Sequence, residues 1–200
     1  MAGDNQSVFR RLTDNQPLLW TILALPGVWM LARYISGAAT YGEIVSETGV
    51  VATQLLIVTL AITPIRLIFR RGPILVWLVR RRRDFGVATF CYAAGHLGVY
   101  LIRKADLSLI IEEGWDPWLT AGWAAMIILL AMALSSNDPV MRAMRRWWKR
   151  LHRLVYLATA LVFVHWTLSA FDPSEAYFYL ALIVTLELIR VVIQWRQRVT

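Results

Sequence analysis

Six apolar runs divide this chain, at about residues 18–36, 50–69, 85–102, 118–134, 151–171 and 176–193. Each approaches the ~20 residues that carry a helix across a hydrocarbon layer of ~30 Å. The expected fold is therefore an all-α integral membrane protein, a six-transmembrane-helix bundle over residues 17–198 behind a polar tail at 1–16. Composition agrees: 58% of the 200 residues are hydrophobic and ten are tryptophan, which is unusual for a water-soluble domain.

Charge sets the orientation. Eighteen of the 21 Lys and Arg residues fall in the tail (Arg10, Arg11), the 66–83 segment, the 142–153 segment and the C-terminal end. Arg33, Arg103 and Lys104 fall on the opposite side, with eight of the 13 acids. Positively charged loops stay in the cytoplasm, so both termini are expected there. The net charge of +8 is thus a membrane-topology pattern, suited to anionic lipid, and does not read as a nucleic-acid face. The first run could be a signal peptide cut near Ser36 to Thr40, but its length and internal Pro26-Gly27 favour a retained helix. Residues 41–49 read as a polar connection, Thr63-Pro64 as a bend or end of the second helix, and Ile74 to Val79 as a short piece on the membrane surface. Cys91, the one cysteine, excludes a disulfide or a cysteine metal site within the chain.

All three histidines lie in or at the edge of apolar runs. Ionisable groups there are costly and mark function by default. Entering from the cytoplasm, His96 comes thirteen residues after Arg83 and His165 fifteen after Arg150, depths of about 20 and 22 Å at ~1.5 Å per residue. Two imidazoles at one level on different helices suit a haem held between them. His152 sits at the cytoplasmic edge, level with Arg82, Arg83 and Asp84, and about 140° round an ideal helix from His165. Trp20, Trp77, Trp115, Trp118, Trp147, Trp148 and Trp195 fall at helix edges as interface anchors. Trp166, Met126 and Met132 read as packing, and Glu187 as a partner for Arg190.

The ordered set Ile62-Thr-Pro-Ile-Arg66, then R-R-x-x-G-x8-G-H-L-x-x-Y from Arg82, then L-H-x-L-V-Y-L from Leu151 leading to His165-Trp166, resembles the haem-binding membrane subunits of bacterial MsrPQ methionine-sulfoxide reductase systems. These form the MsrQ/YedZ family of the ferric-reductase-like transmembrane superfamily. The resemblance runs from about Val50 to the C-terminus, with Asp84-Phe85 departing from the more apolar pair expected after the arginines. It implies one or two b-type haems, FMN, and residence in the bacterial inner membrane. It further implies electron flow from a cytoplasmic flavin reductase or quinol to a periplasmic molybdopterin sulfoxide reductase that repairs oxidised methionine. By resemblance His96 and His165 are axial haem ligands, His152, the third histidine of the family, is a candidate ligand of a second haem, and Arg82 stands near that haem.

No G-x-G-x-x-G fingerprint occurs, so electrons are expected from a separate reductase, a quinol or a bound flavin. The leading expectation is an electron-transfer subunit of an oxidoreductase complex. Direct reduction of ferric iron or another small acceptor is a second, and a non-redox scaffold or transporter a third.

Overall fold

The computed structural model describes residues 15–69 and 72–199; the tail with Arg10 and Arg11, and the pair Arg70 and Arg71, lie outside the described residues. The helices are α1 (Gln16–Ile35), α2 (Tyr41–Phe69), α3 (Pro73–Lys104), α4 (Leu107–Glu113), α5 (Pro117–Leu134), α6 (Asp138–Met144), α7 (Arg146–Arg153), α8 (Val155–Ser169) and α9 (Ser174–Val199). No strand forms among the described residues. With α7 and α8 taken as one span, six helices are long and apolar enough to cross a membrane. The protein is a six-helix, multi-pass membrane protein.

Three segments differ from their sequence-based expectation, each for a local reason. Residues 41–49 are the first turns of α2, not a connection. Thr40 and Glu43 make a capping box there: the Thr40 N–H donates to Glu43 Oε2 at 2.7 Å and the Glu43 N–H to Thr40 Oγ1 at 3.3 Å, satisfying donors that would otherwise be orphaned. Arg33 reaches across from α1 to Glu47 at 2.7 Å. At the other end, α2 continues through Pro64, which is fully buried, to Phe69.

Ile74 to Val79 is the first part of α3, continuous with the four arginines. Pro73 starts the helix, where its missing N–H costs nothing, and no further Pro or Gly occurs before Gly86. Trp77, Leu78 and Val79 pack with Leu19, Ile62 and Phe85 rather than lying apart on the membrane surface. The third difference is the fifth span, which breaks at Leu154. The Leu154 N–H donates to Leu151 O at 2.9 Å, a tightened three-residue turn.

Helix contacts form a closed ring: α2 packs on α3, α3 on α5, α5 on α8, α8 on α9, and α9 back on α2. Helix α1 lies outside, against α2 and α3. Buried Thr48, Thr53, Thr59, Thr89 and Thr159 each return their hydroxyl to the carbonyl four residues earlier, so these five hydroxyls are satisfied within their own helices.

Polar bonds dock α1. Buried Asp84 accepts from Gln16 Nε2 at 3.0 Å and from Trp20 Nε1 at 3.1 Å. Beside Pro26, the Gly27 N–H donates to the Tyr92 hydroxyl at 2.9 Å, and that hydroxyl donates to Leu23 O at 2.7 Å. Tyr92 thus bridges the Leu23–Gly27 rung of α1. The Gly27 position is tight, because a Cβ there would stand 3.3 Å from the Tyr92 oxygen.

Candidate two-histidine site

His96 on α3 and His165 on α8 meet across the ring. Their ring centres are 6.0 Å apart and their planes cross at 89°. Both line one cavity of about 600 Å³ with walls from α2, α3, α5 and α8. The equal depths expected from sequence do bring these two side chains together.

Each ring is held in the same way. His96 Nδ1 lies 2.7 Å from Val45 O, and His165 Nδ1 lies 2.7 Å from Trp118 O. A carbonyl oxygen only accepts, so Nδ1 must carry the proton on both rings. Nε2 is then the lone-pair nitrogen, the one available to a metal. Four residues beyond each carbonyl stands a glycine, Gly49 after Val45 and Gly122 after Trp118. Helical Cβ atoms tilt toward the N-terminus, so a side chain at either position would stand over the carbonyl that the imidazole needs. A Cβ at Gly49 would lie 3.1 Å from His96 Nδ1, and one at Gly122 only 2.8 Å from His165 Nδ1. The Trp118 indole stacks on the His165 ring, 5.7 Å between centres.

Two imidazoles bound through Nε2 to opposite sides of one metal, at ~2.0–2.1 Å per bond, have ring centres about 6 Å apart. The observed separation matches that spacing, and the tautomers offer the correct nitrogens. The described residues therefore fit a haem with two histidine axial ligands. Among the described residues no group of three or more His, Cys, Asp and Glu side chains could hold a metal ion instead.

His152 lies apart from this cavity. Its Nε2 is 3.2 Å from Ser135 Oγ, and its ring stacks on Trp148 at 4.1 Å. The Trp148 indole N–H donates to Ser135 O at 3.0 Å. The tightened turn at Leu154 lets both histidines of this span turn toward α5: His165 reaches its start and His152 its C-terminal cap. Arg82 donates to Thr63 Oγ1 at 3.2 Å and is close enough to act electrostatically on His152. Around His152 the described residues offer one imidazole, already engaged by Ser135, and so do not form a second two-imidazole site.

Several tryptophans expected as interface anchors turn inward. Trp20 bonds Asp84, Trp77 meets Phe85 edge to face, and Trp118 and Trp148 stack on histidines. Trp115, Trp147 and Trp195 remain exposed. Trp166 stacks on Phe163 and Tyr179 while lining the cavity. Met126 and Met132 pack in the core, and Glu187 pairs with Arg190 at 2.8 Å.

Six membrane-length helices, with a cavity walled by α2, α3, α5 and α8 that holds two facing imidazoles, define a multi-pass membrane protein with a built two-histidine site. A family model, the ferric reductase like transmembrane component, matches residues 48–163. That segment contains His96, Arg82 and His152 and stops just short of His165. A protein-methionine-sulfoxide reductase heme-binding subunit MsrQ of Xanthomonas axonopodis pv. citri is 34% identical over 163 residues, covering 80% of this chain and 73% of its own length. The MsrQ subunit of Xanthomonas campestris pv. campestris strain B100 is 36% identical over 154 residues, covering 75% of this chain and 69% of its own. That of Brucella ovis is 33% identical over 182 residues, covering 86% and 80%. This chain belongs to the ferric-reductase-like transmembrane family and, within it, to the MsrQ family.

Proposed function

We propose that this protein is the haem-binding membrane subunit of a protein-methionine-sulfoxide reductase system, an electron-transfer component of the bacterial inner membrane. Its electrons come from a cytoplasmic flavin reductase or a quinol, and go to a periplasmic molybdopterin sulfoxide reductase. The carrying observation is the pair of crossed imidazoles, 6.0 Å apart, each with Nδ1 tied to a backbone carbonyl and Nε2 left free. The relatives named as heme-binding subunits support the same reading.

When bound, haem b supplies a one-electron couple whose potential depends on axial ligands, burial and hydrogen bonding. The chain's own part is to set those variables. His96 and His165 give two neutral nitrogens, and Val45 O and Trp118 O raise their basicity. Largely apolar walls from α2, α3, α5 and α8 surround them. The basic segments carrying Arg80–Arg83 and Arg142–Arg153 face the cytoplasm by the positive-inside rule, with anionic lipid against them. His152 and Arg82 then stand on the electron-entry side. FMN, the second cofactor implied by the resemblance, belongs to the same reading and has no residues assigned to it.

The test is the visible spectrum of the purified protein, with haem counted per chain. A reduced b-type spectrum is expected. His96→Ala and His165→Ala should each abolish it, whereas His152→Ala should keep it. A colourless protein after expression with ample haem contradicts the reading. Reoxidation of the reduced protein by a periplasmic sulfoxide reductase, but not by ferric chelates, would identify the acceptor class.

A further inference from the structure

The cavity that holds the two histidines continues along α3 to a cluster of charged and hydroxyl groups. His96, Tyr100 and Lys104 are spaced i, i+4 and i+8, one row of the helix, and all three line the cavity. Each step along that row is about 6 Å, so the row leads from the imidazole to the far end of the helix. Lys side chains on a helix lean back toward its N-terminus, which brings the Lys104 ammonium toward the histidine level. At that mouth a carboxylate is already bound: Glu113, on the short helix α4, meets Lys104 Nζ at 2.5 Å and accepts from the Tyr100 hydroxyl at 3.4 Å. Glu113 itself lines the cavity.

We infer that Lys104 and Tyr100 form a carboxylate clamp for a porphyrin propionate, and that Glu113 is the displaceable occupant of that clamp. The inference rests on the haem reading of the cavity. An ammonium and a phenol offer only donors to a carboxylate, and a charge-assisted bond of this kind is the strong sort. A propionate entering from the cavity side finds both donors on the same helix row as its axial ligand. Lys104 and Tyr100 thereby fix which edge of the porphyrin faces the α4 end. Glu113 pairs with Lys104 until the cofactor arrives, so the partly exposed ammonium keeps a carboxylate partner in both states.

The experiment compares haem b with its dimethyl ester, whose propionates carry no charge, by measuring dissociation of each from the full-length protein into excess apomyoglobin. The unsubstituted protein should release the ester at least about tenfold faster than haem, the size expected for one lost charge-assisted hydrogen bond. Lys104→Met should bring the two rates together by speeding haem release. Tyr100→Phe should do the same in part. Glu113→Gln should slow haem release, because Lys104 is freed from its competitor. Equal release of the two porphyrins from the unsubstituted protein overturns the clamp, and needs no variant that folds. Faster release from Glu113→Gln also overturns it, since a purely structural ion pair would behave that way. Haem that stays bound in His96→Ala and His165→Ala would instead refute the reading of the cavity itself.

Discussion

Gly122→Ala should lower haem affinity about 10- to 100-fold, the usual effect of disturbing the outer partner of a metal ligand. The new methyl carbon would lie 2.8 Å from His165 Nδ1, 3.1 Å from Cε1 and 3.3 Å from Cγ. Contact with Cγ means that the whole ring must turn, not just its tip. Turning it breaks the 2.7 Å bond to Trp118 O, so the imidazole becomes a weaker donor and the haem potential should rise. Gly49→Ala should act in the same direction more weakly, because its closest approach to His96 is 3.1 Å. Gly98→Ala is the control, since beyond its own stretch of helix nothing lies within 4 Å of a Cβ there. Redox titration with haem counting checks all three. Unchanged potential and occupancy in Gly122→Ala would show that the ring does not depend on the carbonyl anchor.

The second large effect is expected at Asp84. Asp84→Ala strands the Trp20 indole N–H and the Gln16 amide, and removes the carboxylate that lies 3.6 Å from Arg81. Losing these two charge-assisted bonds, one from the half-buried Trp20 indole and one from the exposed Gln16 amide, should cost about 2 kcal/mol. That cost falls on the docking of α1, because α1 contributes nothing to the cavity wall. Limited proteolysis in detergent should therefore cut α1 free of the bundle while haem content stays near normal. Asp84→Asn keeps one acceptor oxygen and should be milder. Tyr92→Phe, which removes the bridge between Gly27 N and Leu23 O, should loosen the same helix. Loss of haem at the same rate as loss of α1 would show that the outer helix supports the site.

Much of this architecture was readable from residue order, because hydrocarbon allows so few solutions. Length and hydropathy set six spans, and the regular 1.5 Å rise of a helix turned residue counts from Arg83 and Arg150 into matching depths for His96 and His165. What was missed depends on single contacts rather than on averages. The stretch 41–49 looked like a loop because it has only two aliphatic residues, Ile44 and Val45, among glycines, hydroxyls and carboxylates. The signal that it starts a helix is Thr40-x-x-Glu43, a capping box, and the extra turns it creates carry Val45 and Gly49 to His96. The arginine run looked like a loop for the same reason, though nothing between Pro73 and Gly86 breaks a helix.

Asp84, read only as a departure from a family pattern, is the latch for α1. The roles of Gly49 and Gly122 had one faint signal, an isolated glycine inside an apolar helix, which usually has a packing reason. Which ring packs there is a tertiary fact, and hydropathy carries no trace of it. Ser135 as the partner of His152 was hidden likewise, since it lies just past the end of α5 and no local pattern points it at a histidine.

The most direct test of the two-histidine site is electron paramagnetic resonance of the oxidised, purified protein. Both rings are fixed through Nδ1, so the 89° crossing of their planes should persist when haem is bound. Crossed imidazoles give a low-spin ferric signal of strong axial anisotropy, and this signal is expected here and should vanish in His165→Ala. A high-spin signal in the unsubstituted protein, or the rhombic low-spin signal of parallel imidazole planes, would contradict the site as built.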